Sequence, residues 1–231
     1  MTTKAKEPQN QIQFDDYQRN PASLGPYTTH IWKNDPRHLG FLLARYKFCA
    51  KMLDGKQNVL EIGCGDGFGI PVVSQTVKAI HGLDFEPMLL EENRKRLSEL
   101  NCSFECLDIT KDKPKGTFDA AYSLDVIEHI PKAIEHKYFE NISSVLSKDG
   151  VFILGTPNVT AAAYASEGSR AGHINLKSHD EMRESMKRYF NNVFIFSMND
   201  EVVHTGYGPM AHYLIGVGVG VGVGVGVGVR K

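Results

Sequence analysis

The stretch VLEIGCGDGFG, Val59 to Gly69, sets three apolar residues around a carboxylate and then places glycine at every second position. A strand that runs into glycines and opens a helix brings bare backbone against a ligand, because a Cβ there would block the approach. The loop therefore reads as a ligand cradle at the end of a strand. What flanks it decides which sheet that strand belongs to.

From Asn58 onward short apolar runs alternate with helical stretches. The pattern predicts strands near 58–62, 77–83, 102–107, 117–124, 150–155, 192–198 and 209–215, with helices near 69–75, 86–100 and 131–147. Strand and helix in alternation argue for parallel pairing, right-handed crossovers and helices on both faces. Upstream, Asp35 and Pro36 read as an N-cap and first helical position, and Leu39, Leu42, Leu43, Tyr46, Ala50 and Leu53 recur at helical spacing until Gly55. Downstream, Ser178 to Glu181 spells a capping box for a last helix ending near Phe190. VFIFSM and the run Met210 to Ile215 then suggest a closing strand pair that could be antiparallel. The expectation is one doubly wound, Rossmann-like α/β domain with a seven-stranded, mostly parallel sheet and an antiparallel last strand.

Composition narrows the class. A chain of 231 residues is long enough for one α/β core, burying roughly 70% of its unfolded surface. With 42% apolar residues, 23% charged residues and a net charge of -1, it has no electrostatic footprint for nucleic acid or an acidic membrane. The four cysteines, Cys49, Cys64, Cys102 and Cys106, form no CxxC pair and read as buried thiols. No HxxxH pair occurs, so no metal is expected. The first thirteen residues lack a signal-peptide core, which makes a cytoplasmic location the expectation. Gly216 to Val229 is seven Gly-Val pairs, followed by Arg230 and Lys231. Glycine at every second position offers little to pack, so 216–231 reads as a low-complexity tail.

Two cradles compete at the loop. The dinucleotide pattern needs a third glycine where this chain has Phe68, and Glu61 and Asp66 would repel a pyrophosphate. A cationic sulfonium with an ammonium suits those acids better. Asp84 ends the next strand, nineteen residues beyond Gly65, where a carboxylate can accept both hydroxyls of a ribose; a plain N-cap is the alternative for such an acid.

VLEIGCGDG, GLDFE, ECLDIT and FDAAYSLDVIEHIP, in that order, resemble the motif series of the class I S-adenosylmethionine-dependent methyltransferases, in the small-molecule branch that includes the ubiquinone and menaquinone type enzymes. The resemblance covers about Asn58 to Pro157. It implies S-adenosylmethionine as cofactor, with Glu61, Gly63, Cys64 and Gly65 under its methionine part and Asp66 and Gly67 completing the loop. It further implies Asp84 and Phe85 at ribose and adenine, Asp108 and Ile109 at adenine, and Asp125 and Val126 beside the reactive methyl. On this basis 1–55 is expected to be a helical cover and 56–215 the methyltransferase domain.

Methyl transfer from a sulfonium demands alignment and exclusion of water; a hydroxyl acceptor also needs a base. The candidate bases are His173, in AGHINLKS, and His129, which Glu128 could orient. Each has a plainer alternative, a loop histidine for the first and local capping for the second. Tyr17, Tyr27 and Trp32 are candidates for a lid over the substrate, or for a helix packed on the core, and Arg170 lies in the polar run around His173. The expected reaction is O-methylation of a small-molecule acceptor. N-methylation, a non-catalytic cofactor-binding role and an NAD-dependent oxidoreductase stand as alternatives, and the oligomeric state stays open, a homodimer among the options.

Overall fold

A computed structural model describes residues 4–222. Five strands lie parallel: β1 (Asn58–Ile62), β2 (Ala79–Asp84), β3 (Cys102–Cys106), β4 (Phe118–Leu124) and β5 (Leu146–Pro157). They continue into β6 (Phe190–Asn199), β7 (Val202–His204) and β8 (Tyr213–Val221), giving eight strands in the order β3-β2-β1-β4-β5-β8-β6-β7. β8 runs antiparallel to both of its neighbours, β5 and β6. The sheet is thus mostly parallel with an antiparallel C-terminal portion, one strand larger than expected. The additional strand, β7, is three residues long and has no apolar run of its own.

Helices cover both faces. On one, α6 (Glu135–Val145) and α8 (His179–Lys187) bring Tyr138, Phe139, Ile142, Met182 and Met186 against Leu60, Ile62, Leu83 and Phe152. On the other, α3 (His38–Met52), the Leu53 that follows it and the short α4 (Ile70–Val73) bring Cys49, Leu53, Ile70 and Val73 against Val59, Ala120, Tyr122 and Ile153. The alternation of Val59 and Leu60 between these clusters is the two-residue period of a strand buried on both sides. The helix α5 (Pro87–Arg96) follows β2, and the box expected at α8 is formed, Ser178 and Glu181 each bonding the other's backbone. α3 starts two residues later than expected, because Asp35 and Pro36 form the turn that precedes it.

Two expectations need correction. Gly216 to Val221 is a strand, seated between β5 and β6, and not a tail. Val217 enters the core on one face, while on the other a Cβ at Gly216 would lie 2.4 Å from the Met186 sulfur and one at Gly218 2.6 Å from the Phe190 ring. The glycines are the clearance that lets α8 and the start of β6 close onto the sheet. Residues 223–231 of the repeat lie outside the described residues. The cysteines are free thiols, but Cys106 is exposed, since β3 is an edge strand.

Ahead of the sheet stand α1 (Gln11–Arg19), which buries no residue, and α2 (Pro26–Asn34). No helix among the described residues is long and apolar enough to cross a membrane.

Candidate active site

The chain leaves β1 in two directions, to β2 and β3 on one side and to β4 and β5 on the other. Open α/β sheets take ligands at such a switch point, outside the carboxyl ends of the strands. A cavity of about 540 Å³ opens there, lined by Gly63, Cys64, Gly65, Asp84, Phe85, Asp125 and Val126. Tyr27, Thr28 and Ile31 of α2 cover it.

The glycine loop is held from outside so that its inner side stays bare. Cys64 N–H donates to the Leu83 carbonyl at 2.9 Å, and the fully buried Asn93 donates to the Gly65 carbonyl at 2.8 Å. Gly65 N–H donates to Asp84 Oδ2 at 2.9 Å, and the other oxygen of Asp84 accepts from Glu86 N–H at 3.0 Å. Gly63 has φ 68° and a Cβ there would lie 2.3 Å from a Val126 methyl, so any other residue is strained and overpacked at once.

The two loop acids do not face the cavity as a pair of free charges. Asp66 is buried and accepts from the Thr28 backbone N–H at 2.7 Å and its hydroxyl at 3.1 Å, tying α2 to the loop. Glu61 points to the α3 face of the sheet, where Tyr122 donates to it at 2.9 Å. Burial pushes its carboxyl up to about 8 against the opposing pull of that hydrogen bond. It lines neither cavity.

A second cavity of about 480 Å³ adjoins the first, and Ile31, Leu42 and Asp125 line both. Its floor includes Arg45, Glu128, Asn158 and His173, and its far wall comes from the segment after β5, through Ala161, Ala162 and Tyr164. Asp125 stands at the border with φ 57°, an unusual conformation for a residue with a side chain, and its Oδ2 accepts from Arg45 at 2.7 Å. The Arg45 guanidinium also lies 3.7 Å from the centre of the Tyr213 ring, so one buried cation ties α3, the β4 end and β8 together.

His129 and His173 meet at this border, 5.1 Å apart between ring centres. They are 44 positions apart in the chain, and the link is Glu128, whose backbone carbonyl accepts from Ile174 N–H at 2.8 Å and Asn175 N–H at 3.0 Å. Burial, and then the proximity of His129, lower the basicity of His173.

Residues 59–150 match the family pattern of the methyltransferase domain. Residues 59–150 form a class I S-adenosylmethionine-dependent methyltransferase domain. The ubiquinone biosynthesis O-methyltransferase of Coxiella burnetii is 26% identical over 138 residues, 57% of this chain and 57% of that protein. Phosphoethanolamine N-methyltransferase 1 of Triticum aestivum is 31% identical over 141 residues, 57% of this chain but 28% of that protein. The chain thus spans little more than half the length of the first relative and less than a third of the second. Among solved structures, an S-adenosylmethionine-dependent methyltransferase from Clostridium acetobutylicum superposes with a TM-score of 0.67 at 14% identity, covering 84% of this chain and 97% of that one. The methyltransferase domain takes S-adenosylmethionine, and the larger cavity suits it: a side-chain-free loop beside a carboxylate at the end of β2, with room closed by any Cβ at Gly63.

Not every residue named from the sequence reaches the site. Asp108 spends its carboxylate on Thr110 and Lys111, and Ile109 is buried in the core, so neither lines a cavity. Tyr17 and Trp32 are exposed and line neither cavity, and the same holds for Arg170. Tyr27 belongs to the cavity at the glycine loop and not to the second one. Thr28, Arg45 and Asn158, by contrast, have no motif around them and are visible only in the fold. Arg45 sits among the apolar residues of α3, and that oddity is the one local signal it carries.

Proposed function

We propose that the chain is an S-adenosylmethionine-dependent O-methyltransferase of a small hydroxylated molecule. The observation that supports this most is the placement of Glu128, His129 and His173 where the two cavities meet, since a hydroxyl acceptor needs its proton removed and an aliphatic or aromatic frame needs an apolar wall.

Bound S-adenosylmethionine supplies an electrophilic methyl on a sulfonium whose departure is neutral. The residues of the chain do the rest. Gly63 and Gly65 admit the amino-acid end, Asp84 accepts from ribose hydroxyls, and Val126 and Leu124 floor the cavity beside Asp125. The α2 cover, fastened by Thr28 to Asp66, keeps water out. His173, with His129 beside it, activates the acceptor hydroxyl. Transfer to an amine is the second reading; the buried Oε1 of Glu128, without a hydrogen-bond partner in the wall of the acceptor cavity, can accept from an amine N–H.

Calorimetric titration with S-adenosylhomocysteine and NAD, followed by turnover of a panel of hydroxylated and amine acceptors, tests the proposal. The expected result is homocysteine-product binding without NAD binding, and turnover of hydroxyl acceptors that falls in His173→Ala and His129→Ala while product binding is kept. Turnover of amines alone, unchanged in both variants, would replace O-methylation with the second reading.

A further inference from the structure

We propose that Glu135 and Lys177, a buried ion pair closed through Asn175, are positioning residues that set His129 and His173 at the acceptor cavity. The use made of those two imidazoles rests on the proposed O-methylation; the anchoring does not.

The pair lines neither cavity, so it takes no direct part in binding. Lys177 has no exposed surface, and its Nζ donates to Glu135 Oε2 and, at 2.9 Å, to Asn175 Oδ1. Asn175 Nδ2 donates to the same Glu135 oxygen at 2.8 Å, which closes a ring of three side chains. The other Glu135 oxygen accepts from the Ser185 hydroxyl of α8 at 3.0 Å. A cation on one side and a carboxylate on the other leave the Asn175 amide one orientation, carbonyl to Lys177 and amino group to Glu135. Glu135 also opens α6, where the helix N-terminus favours a negative charge. Burying two charges costs about as much as their attraction returns, so apolar side chains of the same size would serve stability as well. What the ring adds is direction, because charge-assisted hydrogen bonds fix an angle and apolar contacts do not.

Its place in the fold shows what uses that direction. No residue from Val159 to Ile174 is buried, so the strap that walls the acceptor cavity has no buried side chain to anchor it. The buried residues it reaches next are Asn175 and Lys177. Asn175 ties the strap to the turn after β4, its N–H sharing the Glu128 carbonyl with that of Ile174. Lys177 ties it to the end of β5, its carbonyl accepting from Val159 N–H at 2.9 Å. The anchored segment carries His173, and it presents the Gly172 carbonyl 3.0 Å from His129 Nδ1. A carbonyl only accepts, so the His129 proton sits on Nδ1 and Nε2 keeps its lone pair. One strap therefore sets the place of one imidazole and the tautomer of the other. A misplacement of about 1 Å in groups of this kind costs roughly 10²-fold in rate.

The test uses the full chain as wild type, as Asn175→Ala, and as the double variant Glu135→Leu with Lys177→Met, which leaves neither buried charge unpaired. Hydrogen exchange by mass spectrometry reads 172–177, long-range nitrogen spectra of the imidazoles read the His129 tautomer, and thermal melts check folding. In the wild type, protection should begin at Ile174, with faster exchange from 160 to 171; uniform exchange across both would overturn the anchor without any variant. In both variants, exchange across 172–177 should rise at least about tenfold, the factor carried by a hydrogen bond to a charged group. The Nδ1–H form of His129 should lose its dominance, and kcat on a hydroxylated acceptor should fall by roughly 10²-fold. Affinity for S-adenosylhomocysteine should be kept, since Gly63, Gly65 and Asp84 are untouched. A double variant with wild-type melting, exchange and tautomer would make the pair merely structural and overturn the proposal; if it does not fold, the same readouts in Asn175→Ala decide. Failure of the O-methylation reading shows elsewhere, as hydroxyl turnover indifferent to His129→Ala and His173→Ala, and that outcome leaves the exchange result standing.

Discussion

The two cavities are built by opposite means. The one at the glycine loop is made of backbone: Gly63 and Gly65 at positive φ, a strand end, and Asp84 holding the loop through an N–H. The adjoining one is made of side chains from α2, α3, the β4 end, the segment after β5 and the residue before β8. Backbone cradles depend on residues close together in the chain, and they leave a local trace. Side-chain cavities depend on what the fold brings together, and no motif announces that Arg45 meets Asp125 across 80 positions.

If that contrast is right, the second half of the sheet should depend on contacts that no motif announces. Ending the chain after Ile215 removes all but the first three residues of the strand between β5 and β6, and the expected outcome is loss of cooperative folding, read by circular dichroism and a urea melt; a folded protein would show that the repeat contributes little. In the backbone cradle, Asp84→Ala deletes the partner of Gly65 and Glu86 N–H. Affinity for S-adenosylhomocysteine should fall by about 10- to 100-fold, the worth of hydrogen bonds to a charged group, by calorimetry.

The tie between cover and loop is a smaller effect. Asp66→Ala leaves Thr28 N–H without its acceptor, and about 1–3 kcal/mol of stability should be lost. Hydrogen exchange should rise across 26–34 more than elsewhere; uniform loss would mean that α2 is not held by this contact.

A separate effect concerns pH. Glu61 titrates at about 8 in the folded chain, above the roughly 4.3 of an unfolded glutamate, so the folded state binds the extra proton. Its contribution is fully present below pH about 4.3 and is lost as pH rises towards 8. Glu61→Gln should flatten the decline of the urea midpoint between pH 5 and 8. An unchanged slope would place the proton elsewhere.

These differences follow how far each feature was readable in the chain. Gly63, Gly65, Asp84 and Asp125 follow strands whose apolar runs are plain, and the structure sets all four on one cavity wall. Glu61 and Asp66 are visible in the sequence as carboxylates, but the Tyr122 and Thr28 that occupy them are not. Tyr17, Trp32 and Arg170 carry only their chemical type as a signal, and type alone does not say which way a surface residue faces.

By itself the sequence determined the parallel sheet, its helical layers and the cofactor loop, because periods of two and 3.6 residues and a run of glycines express backbone geometry within a few positions. The tertiary structure alone decided that Gly216 to Val221 is a central strand, that Arg45 closes on Asp125, and that Glu128, His129 and His173 share one point. The physical reason is the same in each case: a side chain's role is set by the neighbours it meets, and those arrive from chain segments that local periodicity does not connect.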